Sequence, residues 1–186
     1  AHALPAPYKI YTNKIRCIMS QNHPLPRLIL AFVAGFLSVL LFHQLALLLL
    51  HSIGFAPAKL TAYAIETTRP FGIPRVWSLA FWGGVWGIVL VLFVSFFRQG
   101  LGIWGTALLF GAIAPSLVSW FIAMPLRGEP VGGGWQPNGI ATALILNGLW
   151  GLGTILLYRL ISLSVLGRKR RSTSGLESGE RERIRH

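Results

Sequence analysis

Aspartate is absent from this chain, and five glutamates (Glu66, Glu129, Glu177, Glu180 and Glu182) are the only side-chain carboxylates in 186 residues. Charged residues make up 12% of the whole, against the quarter or more that keeps a soluble domain of this size in solution, so a water-soluble globule is excluded. A single cysteine, Cys17, excludes a disulfide framework within one chain and a cysteine-rich metal site. The long apolar runs contain neither a carboxylate nor a thiol. That removes paired carboxylates for acid–base chemistry, a thiolate nucleophile, and the intramembrane acids on which ion-coupled transport usually relies. Histidine enters those runs only at His43 and His51, on one segment, so bis-histidine haem ligation across helices would need a second chain. No catalytic constellation, metal site or cofactor is therefore expected.

What the chain has instead is hydrophobic length. Four apolar segments reach the roughly 20 residues needed to cross a bilayer as helix, at about 28–50, 76–97, 102–124 and 139–160. The expected fold is all-α: a polytopic membrane protein built as a four-transmembrane-helix bundle over 27–166. It is preceded by a cytoplasmic segment, 1–26, and followed by a basic, mobile tail, 167–186. The net charge of +12 is distributed as membrane topology demands and not as a nucleic-acid surface. Lys9, Lys14, Arg16 and Arg27 precede the first span, Arg98 lies between the second and third, and Arg168, Lys169, Arg170 and Arg171 follow the fourth. Cytoplasmic loops carry the excess of Lys and Arg, so both termini are placed in the cytoplasm. The Arg168–Arg171 cluster is expected to contact anionic lipid headgroups. Ala56-Pro57-Ala58 offers a cleavage-like site after the first span, but the preceding apolar run is too long for a signal peptide.

Along the chain, the sequence begins at Ala1 without methionine, whereas MSQNHPLPRLIL from Met19 reads as a natural start. Residues 1–18 are accordingly expected to pack against nothing in the membrane part. The longest loop, SIGFAPAKLTAYAIETTRPFGIP, holds KLTAYAIETT, which is expected to form a short interfacial helix before Pro70 and Pro74. The second and fourth spans share G-x-W-G, as Gly84-Val85-Trp86-Gly87 and Gly148-Leu149-Trp150-Gly151, each after a proline-bearing loop. AGFLSVLLF in the first span matches FGAIAPSLVSWF in the third more weakly. A 2+2 helix repeat, its halves in the same orientation, is one reading of this pattern; enrichment of Gly and Trp in membrane helices is the other.

Small residues mark the packing faces, because membrane helices associate where backbones approach closely. Gly83 and Gly87 lie four apart in the second span. Gly105, Gly111, Ala112, Ser116, Ser119 and Ala123 lie in the third, and Ala143, Asn147, Gly148 and Gly151 in the fourth. Pro115 is expected to bend the third span. The polar residues His43, Trp82, Ser119 and Asn147 fall at similar depth, about 4–7 Å from the midplane by helical rise. His43 thus has possible hydrogen-bond partners from every other span, and Gln44, about 100° around the helix from it, faces elsewhere. Two readings follow for this set: interhelical glue, or the lining of a small polar pocket.

The stretches FHQ, PFGIPRVWSLAFWGGVWG and NGLWGLG together resemble a group of small four-helix bacterial inner-membrane proteins whose members carry no assigned function. The resemblance covers roughly residues 25 to 160. It implies a bacterial plasma membrane and brings no catalytic or binding residue with it. The expected function is a non-enzymatic integral membrane protein, a structural or accessory subunit that meets the bilayer and either a second copy of itself or another membrane protein. The alternative is a small transporter or channel-like protein with a pocket around His43 and Asn147.

Overall fold

A computed structural model describes residues 24–68, 72–96 and 101–184, with side chains described over 25–68, 72–96 and 102–164. Residues 1–18, Cys17, Arg69 and Arg98 lie outside the described residues, as do the side chains of Arg168, Lys169, Arg170 and Arg171. The described chain is predominantly helical. Four helices are long and apolar enough to cross a membrane: α1 (Leu25–Ser52), α2 (Arg75–Val94), α3 (Gly102–Leu126) and α4 (Pro137–Ser164). Beyond Ser164 the backbone of α4 continues as helix to Ile184. The 20 residues of α2 give about 30 Å, the thickness of a hydrocarbon core. With 28 residues, α1 outruns it by about 12 Å, and the loop between them folds back along the excess.

The helices pack in the spatial order α2–α1–α4–α3, with α2 and α3 touching only lightly. Glycine determines both outer pairings. A methyl group placed on Gly87 would lie 2.7 Å from the Ala31 carbonyl oxygen and 2.9 Å from the Gly35 Cα. One placed on Gly151 would collide with the Ala107 carbonyl oxygen and lie 3.1 Å from the Gly111 Cα. Ala31 and Ala107 are themselves wholly buried. In both pairs, then, an Ala-x-x-x-Gly face on the first helix meets the closing glycine of a G-x-W-G on the second. Gly105, in contrast, is exposed and would meet nothing within 4 Å, so it is no part of the α3 contact face.

The core joins these faces through Ala31, Val39, Ala80, Leu90, Ile103 and Trp150. The outside is apolar: Leu49, Phe81, Trp82, Leu109, Phe121 and Ile122 all stand half-exposed or more. This inverts the arrangement of a soluble protein, in which a contiguous exposed apolar surface of this extent does not occur.

Each pair carries one irregular turn. A π-helical turn occupies Val39–His43 in α1, where the Gln44 N–H donates to the Val39 carbonyl oxygen five residues back. A second occupies Ser119–Ala123 in α3, with the Met124 N–H donating to the Ser119 carbonyl oxygen. Pro115 stays inside α3, and the irregular turn follows it by one helical turn.

The first loop differs from the expectation of an interfacial helix at KLTAYAIETT. Tyr63 adopts a left-handed conformation (φ +50°), and Thr67–Thr68 (β1) pairs antiparallel with Ile73–Pro74 (β2), Thr67 opposite Pro74. The reason lies in where the backbone groups go. Arg75 N–H donates to Glu66 O (2.9 Å) and Val76 N–H to Ala64 O (3.0 Å), so the loop's carbonyls satisfy the free donors at the start of α2. A helix through Ala64 and Glu66 would claim those oxygens for itself.

Candidate functional site

Trp150 is the centre of the polar contacts between the helices. It is 2% exposed, and its indole Nε1–H donates to the Gly35 carbonyl oxygen at 3.0 Å, tying α4 to α1. Its own carbonyl oxygen accepts from Ser38 Oγ (2.7 Å) on α1 and from Thr154 Oγ1 (2.8 Å) one turn on. Gly83 lies beside the indole: a methyl there would collide with the Val39 side chain and lie 3.1 Å from the Gly35 carbonyl oxygen and 3.3 Å from Nε1. Gly153 is required by the same crossing, since a methyl on it would fall 2.6 Å from Ser38 Oγ. Three helices therefore meet at one tryptophan whose donor and acceptor are both matched, as a buried polar group requires.

Asn147 makes the second contact. Its side-chain Nδ2 donates to Ser116 Oγ at 2.8 Å, joining α4 to α3, and Ser116 is wholly buried. Gln44 makes the third. It is 3% exposed, and its Oε1 accepts the Tyr63 N–H at 2.8 Å. The Tyr63 hydroxyl donates to the Leu40 carbonyl oxygen at 2.7 Å, within the π turn. A π turn widens the helix and leaves a carbonyl free for a partner outside it. His51 Nε2 and the Leu60 carbonyl oxygen add a further tie between α1 and the loop.

The second loop docks on its own π turn in a parallel way. Gly132, Gly133 and Gly134 all have positive φ, and Trp135 follows at φ +54°. The Trp135 ring packs against Trp120 (6.0 Å between centroids) and Phe121 (5.8 Å), both in the Ser119–Ala123 turn. Tyr63 and Trp135 are the two non-glycine residues with positive φ among the described residues.

Of the four residues expected to share one level (His43, Trp82, Ser119 and Asn147) and Gln44 beside them, the structure hydrogen-bonds no two to each other. Asn147 takes Ser116 as its partner, Gln44 takes the loop, and Trp82 is 57% exposed on the outer face of α2, in edge contact with Phe81. Ser119 is partly buried in the π turn, and His43 is partly buried with its Nδ1 enclosed and without a partner. The packing residues meet as the small-residue faces suggest: Gly83, Gly84 and Gly87 against α1, and Gly111 and Gly151 against each other. A methyl on Gly148 would lie 2.9 Å from Leu108 Cδ1 and 3.6 Å from Ala112 Cβ. Among the described residues, no group of three His, Cys, Asp or Glu gathers where it could hold a metal ion.

Tyr63, Ser38, Gly35, Thr154 and the central role of Trp150 escaped the sequence reading. The signal for Gly35 was present, in Ala31-x-x-x-Gly35 repeated as Ala107-x-x-x-Gly111. Comparison with known proteins finds no family model that matches the chain, and no similar curated protein or solved structure.

Proposed function

We propose that this chain is an integral protein of a bacterial inner membrane, multi-pass, with both termini in the cytoplasm, and that its role is non-enzymatic: a structural or accessory subunit of a membrane assembly. The observation that carries this reading is the fate of the helices' polar side chains. Ser38, Gln44, Ser116, Asn147 and Trp150 all hold helices and loops together, and Thr154 bonds back within α4 to the Trp150 carbonyl oxygen. A bundle that uses its polar groups as ties is built to be rigid. The apolar exterior supports membrane residence, and the lopsided basic charge supports the orientation.

A 2+2 repeat fits the same observations. Each half comprises a helix with an Ala-x-x-x-Gly face and a π turn, a loop bearing a left-handed aromatic that docks on that turn, and a helix carrying G-x-W-G. The matching contacts in two places support the repeat over chance enrichment of Gly and Trp.

The second reading, a small transporter or channel-like protein with a polar pocket, keeps two enclosed, partnerless atoms in its favour: Nδ1 of His43 and Oγ1 of the wholly buried Thr142. Cross-linking separates the two. In a Cys17→Ser background, Ser116→Cys with Asn147→Cys should form a disulfide rapidly and almost completely on mild oxidation in native membranes, because the two positions stay in contact. A protein that inserts normally yet cross-links slowly or partially would sink the rigid-bundle reading and favour a lumen that opens there.

A further inference from the structure

At the end of the bundle that carries Arg27, Arg159 is a partly buried cation that makes no ion pair among the described residues. Arg159 lies within α4, one turn before Ser164, with its guanidinium carbon 5.3 Å from the centre of the Trp104 ring on α3. Glu66 and Glu129, the two carboxylates with described side chains, belong to the loops at the opposite end. On Arg159's own side, the nearest carboxylate in sequence is Glu177, about 27 Å further along α4 by helical rise. Nothing in residues 1–23 or 97–100 supplies an acidic side chain. A guanidinium over an indole is held in place by the ring's electron-rich face while its N–H fork remains free for an oxyanion.

The surroundings say what form that oxyanion takes. Gly102 and Gly105, on either side of Trp104 in the chain, are exposed and would meet nothing within 4 Å if given a side chain, so the approach is open. Next to Arg159 on α4, Leu156 and Leu160 are exposed, as are Leu108 and Leu109 further along α3. An anion bound here lies beside an apolar wall that suits acyl chains. We propose that Arg159, held over Trp104, is the seat for the phosphate of an anionic phospholipid at the α3–α4 end of the bundle. This rests on the membrane reading above. It is distinct from the diffuse attraction of the Arg168–Arg171 cluster, because one guanidinium is fixed in position. A phosphate whose charge is not offset by its own headgroup is preferred over a zwitterionic one, since no described carboxylate stands beside Arg159 to pair with a headgroup ammonium.

The test uses the purified full chain in mild detergent, equilibrated with equal amounts of phosphatidylglycerol and phosphatidylcholine, with retained lipid read by native mass spectrometry. The wild type should retain phosphatidylglycerol selectively. Arg159→Gln should lower that retention about fivefold, the effect of removing one cation at a bilayer surface. Trp104→Leu, which keeps the charge and releases its position, should lower it about two- to fivefold. Arg27→Gln, at an exposed site on the same end, should leave it near wild type. The seat is overturned if Arg159→Gln retains the lipid fully, if Arg27→Gln loses as much, or if millimolar inorganic phosphate displaces it as readily as added phosphatidylglycerol. Alkaline carbonate extraction of the same proteins keeps the two readings apart. A carbonate-resistant chain without lipid preference overturns the seat alone, whereas release by carbonate overturns the membrane reading and the seat with it.

Discussion

Replacing Gly151 by leucine should abolish the folded bundle, and replacing Gly87 by leucine should do nearly the same. A side chain at either site meets backbone. At Gly151 a Cβ would overlap the Ala107 carbonyl oxygen and crowd the Gly111 Cα, and at Gly87 it would crowd the Ala31 oxygen and the Gly35 Cα. A flexible neighbour could rotate away; a helix backbone can yield only by moving the whole helix. Overfilling a tight contact costs about 1–3 kcal/mol where side chains can adjust, and more where they cannot. Separating α3 from α4 also removes the Asn147–Ser116 bond, so two terms act in the same direction. The control is Gly105→Leu, in open space on α3, which should behave as wild type. Size-exclusion profiles and thermal midpoints in detergent measure all three. A wild-type profile for Gly151→Leu would mean that the α3–α4 crossing is not as close as described. Similar losses for Gly87→Leu and Gly151→Leu are what a 2+2 repeat requires. A large loss at one site and none at the other would count against it.

Trp150→Ala should be the most damaging change among the side chains. It empties the middle of the core, where the ring is almost wholly buried, and removes the Nε1–H bond to Gly35. Truncating a buried tryptophan costs about 3–5 kcal/mol in soluble cores. Trp150→Phe separates the contributions. It keeps most of the ring volume and loses only the hydrogen bond, worth about 0.6 kcal/mol on average between membrane helices. The expected order is therefore a severe loss for Ala and a mild one for Phe, read as shifts of the thermal midpoint or of the denaturant needed to unfold the reconstituted chain. Equal losses for the two would mean that the hydrogen bond, and not packing, dominates at this site.

The sequence made the four apolar helices legible because hydrophobic length is a composition signal, and it made the glycine faces legible because spacing along a helix fixes which side a residue shares. The partner of Asn147 was harder to read. Ser116 and Ser119 lie on similar sides of α3 and differ by about 4.5 Å in height, and only the offset between α3 and α4 decides between them. Heights reckoned from span centres shift when helices differ in length, as α1 and α4, with 28 residues each, do from α2 with 20. The π turns have no compositional signature, so the widened turn that receives the Tyr63 hydroxyl could not be anticipated, nor could a loop tied back to Leu40. Trp82 and Trp150 illustrate the remaining limit: both are tryptophans in apolar helices, yet one faces outward and the other is the hub. Their difference depends on the rotation of each helix about its axis, which neighbours determine.

The central claim is that the bundle is closed around the polar residues of its helices, which line no aqueous space. Single cysteines at His43, Ser119 and Asn147, each in a Cys17→Ser background, should resist a membrane-impermeant thiol reagent applied from the loop side. A cysteine at Val131, exposed in the second loop, should label readily under the same conditions. Ready labelling at all three helix positions, at rates near that of the loop control, would mean a water-filled vestibule and would contradict the sealed bundle.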